Sequence, residues 1–194
     1  MKKLILIVLI ALSAGLFQAC HTNNAGAADP AADDTAKIGG DTASKGLANT
    51  DIDADAVFAK EAVTGGLAEL ALAKLALSKS GDTKIKDFAD MIAVDHTRAN
   101  GELTNLVKTK SMPLPGALDA QHRQTADSLA KLSGSDFNKA YVRVMISEHK
   151  KALTLMQNEA QNGKDADLKA FAAKTAPIVQ MHLDAVTKIQ AGIK

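Results

Sequence analysis

The 194-residue chain is 46% hydrophobic but only 3% aromatic, with no Trp, so any core it buries is made of Ala, Leu, Val, Ile and Met. That composition suits helices, in which Ala and unbranched side chains lose little freedom, and works against a β domain of this size. A net charge of +1 supplies neither a basic field nor an acidic one, so no nucleic-acid partner is expected.

The chain opens on Met1-Lys2-Lys3, and residues 4–17 then carry no charge before Ala19-Cys20. This apolar run of fourteen residues falls short of the ~20 that a permanent bilayer span requires. Residues 1–19 therefore read as an export signal. Cys20 is the only cysteine, which rules out an intramolecular disulfide. The segment Leu16-Phe17-Gln18-Ala19-Cys20 resembles a bacterial lipobox, and that resemblance implies that the Cys20 thiol receives a diacylglycerol and becomes the mature N-terminus. Each buried methylene of such a lipid contributes ~0.8 kcal/mol, which holds a soluble domain at a membrane. His21, not Asp, follows Cys20; in a Gram-negative host this implies the periplasmic face of the outer membrane. Residues 20–52 are almost devoid of large apolar side chains and read as a disordered tether, with an end-to-end reach of about 30 Å.

From residue 53 to 194 the apolar residues recur at three- and four-residue spacing, the pattern of amphipathic helices. The first helix is expected over 55–79, stopped at Ser80-Gly81. Asp82 can cap a second, running to about 110 before Met112-Pro113-Leu114-Pro115 breaks it. A shorter stretch is expected over 117–132. A third long helix, capped by Ser135, runs to about 161, and a last one begins at Asp165 or Asp167 and contains Pro177. The expected class is all-α: a ferritin-like four-helix bundle, two tight hairpins joined by a helical crossover between long helices 2 and 3. An up-down bundle with a fifth helix outside remains open.

The inner faces carry polar residues where apolar ones belong. His96 continues the row Ile85, Phe88, Ile92, Ala99, Leu103, Leu106, and His182 continues Leu168, Phe171, Thr175, Ile178, Ala185, Ile189. Met145, His149, Ala152 and Met156 centre the third long helix, and Glu69 faces inward on the first. Each lies near the middle of its helix, and antiparallel middles coincide, so Glu69, His96, Met145, His149 and His182 are the expected metal ligands. Folding about Gly163 sets His182 level with Met145. Thioether and imidazole donors suit copper, and copper or iron is the expected cofactor if one binds. The other reading is a non-catalytic envelope protein whose buried polar layer only fixes helix register. A di-iron oxidase would carry Glu-x-x-His on two helices, but Ala93, Ile146 and Val179 stand three residues before the histidines. No nucleophile-base set or phosphate loop is present, so a binding module is expected ahead of an enzyme.

The stretch Phe58-Ala-Lys-Glu-Ala-Val-Thr-Gly-Gly-Leu-Ala-Glu-Leu-Ala-Leu-Ala-Lys-Leu-Ala and the segments ending at His96, His149 and His182 resemble the "domain of unknown function 4142" family across residues 53–194. The resemblance implies a ferritin-like helical fold in exported bacterial proteins and brings no established activity. The Met145 to Met156 segment is also similar to the "domain of unknown function 305" family, which includes copper-associated periplasmic proteins. That family typically has two adjacent histidines where this chain has Glu148-His149.

Overall fold

A computed structural model describes residues 54–193; the lipidation expected at Cys20 and the tether lie outside the described residues. Five helices follow in order: α1 (Ala54–Lys79), α2 (Thr83–Val107), α3 (Ala120–Ala130), α4 (Gly134–Asn162) and α5 (Ala166–Gly192). Among the described residues there is no β-strand, and no described helix is long and apolar enough to cross a membrane.

Local chemistry sets the boundaries. The Asp82 carboxylate accepts the amides of Lys84 and Ile85 at 2.9 and 3.3 Å, and Asp165 caps α5 in the same way. Asp119 caps α3 through the His122 amide. The start of α4 differs from expectation. Its N-cap is Ser133 rather than Ser135, no side-chain cap bond forms, and Gly134 turns into the helix at φ 54°, a conformation that is cheap only for glycine. α2 stops at Val107, short of residue 110, because the Lys110 amide closes a tight turn onto the Val107 carbonyl. α5 continues through Pro177. The carbonyl of Ala173 loses its amide partner there, but Ala173 and Pro177 are both exposed, so water can satisfy it.

Two apolar clusters fix the wiring. One joins Leu72 and Ala76 at the end of α1, Ile85 and Phe88 at the start of α2, Phe137 and Tyr141 at the start of α4, and Val186 late in α5. The other joins Phe58 early in α1, Val107 at the end of α2, Met156 late in α4, and Leu168 and Phe171 at the start of α5. The helices therefore run up, down, down, up, and the connection from α2 to α4 must travel the length of the bundle. Met112 and Leu114 pack on the lower cluster and Leu129 of α3 lies in the upper one. This is the ferritin-like wiring, which decides against the up-down alternative. α1 packs on α2 and α4, α5 packs on both as well, and α3 lies over α1 and α4. Phe137 stacks on Tyr141 at 5.9 Å, Phe88 meets Tyr141 edge-on at 6.4 Å, and Phe58 meets Phe171 at 6.5 Å. Each such pair contributes about 0.5–1.5 kcal/mol beyond its buried area, and together they pin the two ends. The interval between the clusters is polar.

Candidate metal centre

Each long helix sends one ionisable side chain into that interval: Glu69 from α1, His96 from α2, His149 from α4 and His182 from α5, with 2%, 8%, 0% and 1% of their surface exposed. Helical periodicity places them. On α2 the buried row is Ile85, Phe88, Ile92, His96, Leu103 and Val107. On α5 it is Leu168, Phe171, Thr175, Val179, His182 and Val186; Ile178, Ala185 and Ile189, expected in that row, lie half-buried on its flank. The α4–α5 turn spans residues 163–165, with Gly163 closing α4 and Asp165 capping α5 as expected. The His182 and His149 rings lie 5.4 Å apart. Across α1 and α2, a Cβ at Gly66 would overlap the Asn100 side chain, whereas Gly65 is open.

The three imidazoles form a triangle, with His96 5.8 Å from His149 and 5.6 Å from His182 between ring centroids. One ring nitrogen of each lies within 4.8 Å of the other two. Donors around a tetrahedral metal with bonds near 2.0–2.1 Å sit about 3.4 Å apart, so the set closes on an ion with shifts of roughly an ångström. Every ring is backed by an oxygen. His149 Nδ1 lies 2.8 Å from the Met145 carbonyl, His182 Nε2 2.9 Å from Asp95 Oδ2, and His96 Nδ1 3.1 Å from Glu69 Oε2. A proton on each backed nitrogen leaves the lone pair on the other. His149 Nε2 and His182 Nδ1 are buried with no hydrogen-bond partner, which is costly unless something else occupies them. Backing of this kind orients histidines that ligate metals.

Of the five expected ligands, the structure thus brings three imidazoles together. Glu69 stands behind two of them: its Oε1 is also 3.1 Å from His149 Nδ1, but that proton is directed at the Met145 carbonyl, and Oε1 has no donor. Met145 contributes its carbonyl, while its side chain belongs to the upper apolar cluster.

Burial governs the charge state. It pushes the Glu69 carboxyl up to about 8, with the charge of Glu148 adding to the rise. It pulls His96 down to about 3, helped by His149 and His182. His149 falls to about 4, again through burial, against the pull of the Met145 carbonyl. His182 is also lowered by burial, with Asp95 working the other way. At neutral pH the imidazoles are unprotonated, so a cation displaces no proton from them.

Residues 40–189 match the family described as "Domain of unknown function (DUF4142)". The chain belongs to that family. Among curated proteins none matches the DUF4142 chain. Its fold is similar to the crystal structure of a DUF305 fragment from Deinococcus radiodurans, at 12% identity and a TM-score of 0.64, covering 71% of this chain and 95% of that one. CopM in the Cu(I)-bound form is similar at 18% identity and a TM-score of 0.60, covering 71% and 96%; CopM in the apo form matches at 19% and 0.60 with the same coverage. At these identities the likeness establishes the fold alone.

The directions of two carboxylates beside the DUF4142 layer escaped sequence reasoning. Asp95 and Glu148 each precede a layer histidine, and neighbours on a helix diverge by about 100°. Neither therefore serves its own neighbour. Asp95 turns to His182 on α5, and Glu148 turns to Lys151 and toward His122 on α3. An acidic residue beside an inward histidine was the available signal; which helix it reaches depends on packing.

Proposed function

We propose that this chain is a membrane-anchored metal-binding module, which takes one first-row transition-metal ion, copper foremost, through His96, His149 and His182. The observation that carries the reading is the convergence of three buried, oxygen-backed imidazoles, two with an orphaned nitrogen. Imidazole donors suit copper, zinc, iron and nickel, and Cu²⁺ binds tightest among the divalent ions. The likeness to CopM, seen in Cu(I)-bound and Cu(II)-bound forms, supports copper in particular. In this reading Glu69 and Asp95 orient the ligands, and no bridging carboxylate equips the layer for di-iron chemistry. Titration of the purified chain with Cu²⁺, Zn²⁺ and Fe²⁺, followed by elemental analysis, tests it. One tight copper per chain is expected, lost in His149→Ala and in the milder His182→Gln. Equal, negligible retention in native and variant chains sinks it.

The location is part of the same proposal. Cys20 carries the lipid, and the bundle works at the periplasmic face of the outer membrane. Growth on labelled fatty acid should label the native protein and leave Cys20→Ala unlabelled and soluble; label in both would refute the anchor.

A second reading rests on Glu69, whose Oε2 lies 3.1 Å from His96 Nδ1 and links α1 to α2 without an ion. If the layer only sets register, replacing His96, His149 and His182 together by Leu should keep or raise stability and leave metal content unchanged.

A further inference from the structure

Two clefts reach the layer from opposite sides of the bundle. The one between α2 and α5, about 210 Å³, ends on His96 and His182. Its charges balance and pair with each other, Arg98 with Asp95 at 2.9 Å and Lys174 with Glu102. The one between α1, α4 and α3, about 280 Å³, ends on the Glu69 carboxyl; it carries Glu61, Asp119 and Glu148 against Lys151 alone. A cleft lined by one sign of charge concentrates counter-ions and speeds their arrival.

Within this acidic cleft one imidazole is held ready. The Asp119 carboxylate caps α3 through the His122 amide and takes His122 Nδ1 at 2.8 Å, which fixes the ring. His122 Nε2 then lies 3.9 Å from Glu148 Oε2. That is too far for a hydrogen bond and about half an ångström wider than the ~3.4 Å between two donors of a tetrahedral cation, so a small side-chain shift closes the pair on one ion. Lys151 takes the other Glu148 oxygen, Oε1, at 2.9 Å and leaves Oε2 facing His122. Deeper in, the buried Glu69 lines the same cleft, and its Oε1 has no donor.

We propose that His122 Nε2 and Glu148 form an outer site for a hydrated divalent first-row cation, with Asp119 as positioning residue, and that the cation passes from there by Glu69 to the three histidines. Only the last step rests on the metal reading above. Two protein donors leave most of the coordination shell to water, so the outer site is weak and exchanges fast, as a loading station requires.

The test uses Cu²⁺ alone on the full chain, with NMR broadening for site occupancy and stopped-flow absorbance for loading. His149→Ala should keep a weak site whose amides near His122 and Glu148 broaden, and adding Glu148→Gln should abolish that broadening. In the otherwise native chain, His122→Gln and Glu148→Gln should slow loading by about tenfold while leaving the final affinity within about threefold. Equal loading rates in the native chain and both variants overturn the relay. No broadening near His122 in His149→Ala overturns the outer site. A native chain with the weak site but no tight copper supports the outer site and refutes the histidine centre, which separates the two ideas.

Discussion

Glu69 and the histidines around it make opposite demands on pH. Glu69 has its folded pKa raised from 4.5 to about 8, so its contribution to stability is full below about 4.5 and is lost as pH rises through about 8. His96 and His149 are depressed from 6.5 to about 3 and about 4, so theirs is full above about 6.5 and is lost as pH falls through those values. Between 4.5 and 6.5 the histidines outnumber the single carboxyl and stability rises with pH; above 6.5 only Glu69 still titrates and stability falls. The metal-free chain should therefore melt highest near pH 6.5, with an alkaline decline that Glu69→Gln removes. Melting curves from pH 4.5 to 8.5 check this; a native profile flat from 6.5 to 8 would contradict the buried, protonated Glu69. Bound metal should reverse the alkaline limb, since a cation favours the Glu69 carboxylate.

At the scale of the helix, the caps give a sharp contrast. Asp82 accepts two amides at the start of α2, whereas Ser133 accepts none at the start of α4. Asp82→Ala should destabilise by about 1 kcal/mol and Ser133→Ala by well under half of that, measured by denaturant midpoints; equal losses would refute the cap assignment. These elements also show what was legible before the structure. Helix existence and the inward face of α2 followed from spacing alone, because Ile85, Phe88, Ile92 and His96 repeat without interruption. On α5 the row held at Leu168, Phe171, Thr175 and His182 and slipped by one position at Ile178 and Ala185: Ile178 stands beside Val179 and Ala185 beside Val186, so periodicity does not choose between them. Met145 was expected as a ligand from its spacing to His149, yet on a helix that spacing sets its carbonyl against the ring and leaves its side chain to the apolar cluster. The turn of Asp95 toward α5 and of Glu148 toward α3 depends on how helices rotate against each other, and no local pattern encodes it.

Across the whole molecule, the up-down-down-up wiring is what creates a centre. Two hairpins alone would each bury a pair of polar side chains; docking them face to face brings four helices to one level, between aromatic clusters that hold both ends rigid. The crossover that this wiring demands lays α3 over α1 and α4 and so builds the acidic cleft beside the layer. Preorganised ligands, neutral at working pH and backed by Glu69, Asp95 and the Met145 carbonyl, are what a tight site requires. The most direct test is pulsed electron paramagnetic resonance on the chain carrying ¹⁵N-labelled histidine and one equivalent of Cu²⁺. The account predicts copper coupled to three imidazoles, those of His96, His149 and His182, with the pattern lost in His149→Ala. Copper that stays free in solution, or an identical spectrum from native and variant chains, would contradict it.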